Sequence, residues 1–245
     1  MSSEPRFSLV IPCYNEARGL PELVARCAYV ASAGAGEVVL VNNGSADDSR
    51  EVFTELLGEA GGTPGAGVVR WVDVPVNKGY GFGIVSGLTE TVAPIIGWTH
   101  ADLQTDPVDV LRALDLFEAP AGLTARHGIL VKGRRYGRPL GDRVFTAGMS
   151  LFESVLLRTR LNDINAQPTM FSRALLERWG TPPDDFALDL FALYKARELG
   201  FVVRRFPVIF APRKFGTSSW NTDFAAKRKF IKRTIDFSLS LRRSL

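Results

Sequence analysis

Unbroken apolar runs alternate with segments of helical spacing along the first hundred residues. Phe7 to Ile11, stopped by Pro12, predicts a first strand. Glu37 to Val41, Val68 to Val74 and Ile95 to Trp98 predict three more. Between them, 19–33, 45–57 and the stretch from Asn77 to about Thr91 read as helices. Ser45 stands where a helix N-cap would, with Asp47 and Asp48 in the first turn. This alternation predicts an α/β fold with a mostly parallel sheet and helices on both faces. Such sheets bind ligands beyond the carboxyl ends of their strands. Three polar turns fall there: Pro12 to Glu16, Asn42 to Ser45, and His100 to Gln104.

The second half is less regular. Helices are expected over 107–118, 142–157 and 186–199, and strands over 129–133 and 202–210. A last helix is expected to start near Asn221 or Thr222, preceded by the polar run Arg213 to Ser219. Gly61 to Gly67 reads as a loop. The expected organisation is one catalytic domain over 1–221, with a nucleotide-binding half to about 104 and an acceptor half after it. A basic helix over 222–245 follows.

The chain has 245 residues, 46% of them hydrophobic, enough for a sizeable core. No apolar run approaches 18 residues and the first residues lack an apolar signal region, so neither a membrane span nor a secretory leader is expected. Cys13 and Cys27 show no metal spacing and fit a reducing cytosol. The net charge of +4 is uneven. Residues 222–245 hold seven Lys/Arg against two Asp, a surplus of five, so the remainder is close to neutral. The basic character belongs to the tail, and no nucleic-acid partner is expected.

The segment Ile95 to Pro107 carries the sharpest chemistry. Continued as an extended strand end, it would project His100, Asp102 and Gln104 to one face. That is an N/O ligand set within reach of one divalent cation, Mn²⁺ or Mg²⁺. A neutral imidazole suits Mn²⁺ or Zn²⁺ better than Mg²⁺. Asp106, before Pro107, suits a helix cap instead.

Pro12-Cys13-Tyr14-Asn15-Glu16, Asn43-Gly44-Ser45-Ala46-Asp47, Gly79-Tyr80-Gly81 and Ala101-Asp102-Leu103-Gln104 occur in that order. The chain thereby resembles glycosyltransferase family 2, whose GT-A fold binds nucleotide sugars. Gly133-Arg134-Arg135-Tyr136 and Arg213 to Ser218 resemble its dolichol-phosphate mannosyltransferase, or polyprenyl-phosphate, branch. The resemblance implies that Pro12, Tyr14 and Glu16 hold the nucleoside, with Val41 and Asn43 as a second base and ribose contact. It implies that His100, Ala101, Asp102 and Gln104 hold metal and diphosphate, and that Arg135 and Arg213 lie near the diphosphate and the acceptor phosphate. The sequence departs from the family pattern at four places. Asn42 and Asn43 replace paired acids, His100 replaces the first metal-site acid, Ser219 replaces a Lys, and Gln167-Pro168-Thr169 replaces Gly-Phe-Arg.

The expected function is inverting transfer of a sugar from a UDP- or GDP-linked donor to a polyprenyl phosphate. The setting is the cytoplasmic membrane face, with the protein peripherally attached. A phosphate acceptor is already an anion and needs no general base, whereas a hydroxyl acceptor does. Asp189 is the candidate base for a hydroxyl acceptor on a glycan or small molecule, and otherwise a structural helix acid. A nucleotide-sugar-binding protein without activity is the third reading, suggested by the replaced acids. The tail, with Phe224, Ile231, Ile235 and Leu239 near helical spacing among basic residues, fits either a helix docked on the domain or one lying in an anionic membrane surface.

Overall fold

The computed structural model describes residues 4–118, 128–137, 140–214 and 224–243. Seven strands form one sheet: β1 (Phe7–Cys13), β2 (Glu37–Asn43), β3 (Val68–Val74), β4 (Ile95–Trp98), β5 (Ile129–Tyr136), β6 (Thr169–Ser172) and β7 (Val202–Ile209). Their order is β3-β2-β1-β4-β6-β5-β7, and only β6 runs antiparallel to its neighbours. The helices are α1 (Leu20–Ala33), α2 (Ser49–Leu57), α3 (Tyr80–Thr89), α4 (Asp109–Glu118), α5 (Leu140–Leu156), α6 (Leu188–Glu198) and α7 (Phe224–Arg243), with a 3₁₀ turn over Arg173–Arg178. The expected halves share this single sheet.

The apolar runs are continuous because both sheet faces are covered. Val10, Val39 and Val41 face one core with Ile84, Trp98 and Phe191. Leu9, Ile11, Val38 and Leu40 face the other with Leu23, Phe53 and Val110. One acid interrupts β2, and it is paired. Buried Glu37 accepts two hydrogen bonds from Arg70, at 2.9 and 2.7 Å, and one from Ser8.

Three details differ from the sequence expectation. β1 runs through Pro12, opposite Val41, to Cys13. α2 begins at Ser49, and the Ser45 hydroxyl lies within hydrogen-bond reach of the Asn15 amide at 3.1 Å instead of capping a helix. β6, which follows Pro168, was not anticipated.

Candidate active site

The ends of β1 and β2 are tied to each other by their turns. Asn15, in the left-handed region at φ 55°, accepts from the Ala46 amide at 2.8 Å. The Glu16 and Ala17 amides donate to Ser49 Oγ and Asp47 Oδ2. Tyr14 projects from this turn, 49% exposed, and is free to stack on a planar group. Pro12 is half-buried and Ala101 is buried.

Two of the expected nucleoside contacts, at the end of β2, have buried side chains. The Val41 side chain is fully buried in the core, because a parallel strand covered on both faces turns each side chain inward. Only its backbone could meet a ligand. Asn43 is also buried and donates from Nδ2 to the Gly79 carbonyl at 3.0 Å, tying β2 to the start of α3. Asn42 donates to Asp73 at 2.7 Å.

The strand after β4 does not continue as an extended chain. Residues 101–105 are bends, with Leu103 left-handed at φ 56°. His100, Asp102 and Gln104 therefore do not share one face. His100 Nε2 lies 2.9 Å from Tyr80 Oη. Asp102 Oδ1 accepts from the Gln104 amide at 3.1 Å, and Oδ2 lies 3.4 Å from the Arg213 guanidinium. Gln104 donates from its side chain to the Ala211 carbonyl at 3.1 Å, while the Ala211 amide returns a bond to the Gln104 carbonyl at 2.8 Å. Among the described residues no group of three His, Cys, Asp or Glu is assembled as a metal centre.

The segment after β7 closes one side of this site. Besides Ala211 on Gln104, Arg213 reaches Glu16 at 3.2 Å, and Lys214 pairs with Glu22 at 2.8 Å. Arg213 thus stands between two carboxylates from different strand ends. Burial pushes the Glu16 carboxyl up to about 7; Arg213 opposes the rise, and Asp102 and Asp47 add to it.

Behind His100 lies a buried polar cluster whose partners the sequence did not reveal. Asp189, 2% exposed, accepts at Oδ1 from Lys132 Nζ at 3.1 Å and Gln167 Nε2 at 2.8 Å. Its Oδ2 accepts from Tyr80 Oη at 3.4 Å. Lys132, fully buried in β5, also donates to Thr169 at 2.6 Å. Desolvation lowers the Lys132 pKa, and Asp189 works against that shift. Burial raises the Tyr80 pKa, so its hydroxyl stays protonated. Glycines on either side of Tyr80 allow this placement. A Cβ on Gly79, at φ 137°, would fall 2.3 Å from the Asp184 carbonyl, and one on Gly81 would fall 2.3 Å from that of Pro183. The start of α3 lies directly on the backbone before α6. The one legible hint of this cluster was a lysine inside the apolar run of β5.

Arg135, one residue before the end of β5, is engaged by a neighbouring side chain. Its Nε and Nη2 donate to Asp163 Oδ1 at 2.9 and 2.6 Å, its amide donates to Oδ2, and it lies over the Phe210 ring. The expected diphosphate arginine is here held in a side-chain pair that fixes the end of β5. The rest of the polar run after β7, residues 215–219 with Ser219, lies outside the described residues.

An open α/β sheet with polar turns gathered at its carboxyl edge defines a ligand-binding fold of the nucleotide-binding type. Residues 8–180 match Glycosyl transferase family 2, and the chain belongs to that family. The undecaprenyl-phosphate 4-deoxy-4-formamido-L-arabinose transferase of Sodalis glossinidius (strain morsitans) is 34% identical over 115 residues, 45% of this chain and 33% of that protein. The protein of the same name from Klebsiella pneumoniae subsp. pneumoniae is 37% identical over 111 residues, 44% of this chain and 32% of that one. The match spans about a third of the length of these relatives. Among solved structures, glucosyl-3-phosphoglycerate synthase from Mycobacterium tuberculosis, in complex with Mn²⁺, UDP-glucose and phosphoglyceric acid, superposes with a TM-score of 0.70 at 18% identity. That match covers 98% of this chain and 80% of the other. A mannosyltransferase from Pyrobaculum calidifontis, in complex with GDP-Man and Mn²⁺, gives a TM-score of 0.58 at 20% identity, covering 88% and 60%. The fold is the GT-A fold that the motifs implied.

Proposed function

We propose that this chain is an inverting glycosyltransferase that moves a sugar from a UDP- or GDP-linked donor to a polyprenyl phosphate at the cytoplasmic face of a membrane. The observation that carries the choice of acceptor is the environment of Asp189. This acid, the candidate base for a hydroxyl acceptor, is sealed between Lys132, Gln167 and Tyr80. So placed, it is not available to take a proton from an incoming hydroxyl. A phosphate acceptor does not need that proton removed. The relatives named for undecaprenyl-phosphate transfer support the same choice.

In this reading Tyr14 stacks on the base and Glu16 meets the ribose. Arg213, already between Glu16 and Asp102, meets the negative charge that builds on the diphosphate as the glycosidic bond breaks. His100, Asp102 and Gln104 are the donors that would hold a divalent cation. Imidazole, carboxylate and amide together fit Mn²⁺ in chemistry. The neighbours solved with Mn²⁺ support a cation. Holding it requires all three to turn toward one point, with Asp102 leaving Arg213, His100 leaving Tyr80 and Gln104 leaving the Ala211 carbonyl. Bound there, a cation would supply further charge neutralisation on the leaving diphosphate.

The test is transfer from a panel of radiolabelled UDP-, GDP- and dTDP-sugars to undecaprenyl phosphate in detergent. Label moving into the organic phase with one donor is expected. Label appearing only on soluble hydroxyl acceptors would reject the lipid acceptor, and no turnover with any donor would reject the enzyme reading.

A further inference from the structure

Helix α5 is amphipathic in the reverse of the usual sense. Its inward side carries Ser150 and the buried carboxylate of Glu153. Its outward side carries Leu140, Val144, Ala147, Gly148, Leu151 and Val155, spaced as one helical stripe. The four large residues of that stripe are between 63% and 71% exposed, and Phe152 beside them is 41% exposed. Single exposed apolar side chains need no explanation, but a continuous stripe over four turns marks a surface that meets something apolar.

The surroundings say what. α7 packs beside α5, and Arg242 borders a shallow groove formed with Gly148, Leu151, Phe152 and Val155. Together residues 140–160 and 224–243 hold ten Lys/Arg against three Asp/Glu, a surplus of seven in a chain whose net charge is +4. At the described end of α7 Leu239 is exposed, while its neighbours are engaged. Leu241 is buried in the core, Phe237 packs on Phe191, and Arg233 pairs with Asp185 at 2.6 Å. Phe237 and Leu241 of the tail are thus docked on the domain, and the longer exposed stripe is on its neighbour.

We infer that the outward face of α5 lies in the surface of an anionic lipid bilayer, with the exposed Arg143, Arg158 and Arg242 set against the headgroups. The inference rests on the lipid-acceptor reading for its purpose, but its evidence is the stripe itself. An exposed apolar stripe flanked by basic residues is the pattern of an interfacial helix. Each such cation adds attraction to an anionic leaflet. Pairing α5 with a second copy of the chain would bring two surplus-positive surfaces together, which Coulomb repulsion opposes.

The experiment is sedimentation of the full chain with phosphatidylglycerol vesicles and with phosphatidylcholine vesicles, without nucleotide sugar or polyprenyl phosphate. Its outcome is therefore independent of whether the transferase reading holds. Binding to the anionic vesicles is expected, weakening as salt rises. L151D/V155D should lower the bound fraction roughly tenfold or more, because two charges would have to enter the interface. L151W should preserve or strengthen it, and the melting temperature of each variant verifies folding. Vesicle binding that is unchanged in L151D/V155D overturns the inference. So does a concentration-dependent dimer in sedimentation velocity that L151D/V155D abolishes, with no vesicle binding by the parent protein.

Discussion

Removing Lys132 is the sharpest single perturbation of the structural account. The side chain is fully buried, and Asp189, its partner at 3.1 Å, is 2% exposed. Lys132→Met keeps the volume and the aliphatic packing but leaves a carboxylate in the interior with only Gln167 and Tyr80 to donate to it. Breaking a buried pair from one side costs about 3–5 kcal/mol, most of it the desolvation of the charge left behind. For a domain near this size each kcal/mol moves the melting temperature by about 2–4 °C, so a drop of roughly 6–20 °C is expected. Lys132→Met/Asp189→Leu removes both charges and should recover much of the loss, since the two sites share one interaction and cannot add. Calorimetric melting of the four proteins measures this directly. A Lys132→Met protein within about 1 kcal/mol of the parent would refute the reasoning, as would a double variant whose loss equals the sum of the singles.

Glu16, pushed from 4.5 up to about 7 by burial, makes folding pH-dependent. The native state holds that proton more tightly than the unfolded chain, so its stabilising contribution is full below pH 4.5 and is lost as pH rises to about 7. Glu16→Gln should therefore gain stability relative to the parent across that window, seen in melts at stepped pH; a constant difference would contradict it. Asp102→Ala should abolish cation-dependent binding of the donor sugar in titration calorimetry, and unchanged affinity would remove Asp102 from the site. His100→Asp restores an oxygen donor and a negative charge, so donor binding should shift from Mn²⁺ toward Mg²⁺. Identical metal profiles would show that His100 does not touch the cation.

The sheet was legible because its strands are buried on both faces. Leu9-Val10-Ile11 and Val38 to Val41 can only be interior in a layered α/β fold, and the turns that follow them are where the site forms. β6 was not legible: four residues after a proline carry too little pattern, and an antiparallel insertion is a tertiary choice. The site was legible as a set of turns but not as side-chain directions. Nothing in Ala101-Asp102-Leu103-Gln104 announces that the chain bends over 101–105 with Leu103 left-handed, and that bend sends His100, Asp102 and Gln104 to different partners. Arg135 resembled a phosphate ligand in a motif, yet its partner Asp163 lies 28 residues on. The Lys132–Asp189 pair spans 57 residues and two elements, so only the misfit of a lysine in an apolar strand pointed to it. The tail showed both its possible fates in sequence. Packing of Phe237 and Leu241 on the domain is what the structure adds.

The central claim is that a phosphate anion, not a hydroxyl, attacks the donor sugar. It is tested most directly by offering the enzyme undecaprenyl phosphate and undecaprenol side by side with its preferred nucleotide sugar and Mn²⁺, and identifying the lipid product by mass spectrometry. The account predicts a lipid-phosphate-linked sugar, formed with inversion at the anomeric carbon, and no product from the alcohol. Equal transfer to the alcohol would contradict it, because the sealed position of Asp189 would then not limit deprotonation of a hydroxyl acceptor.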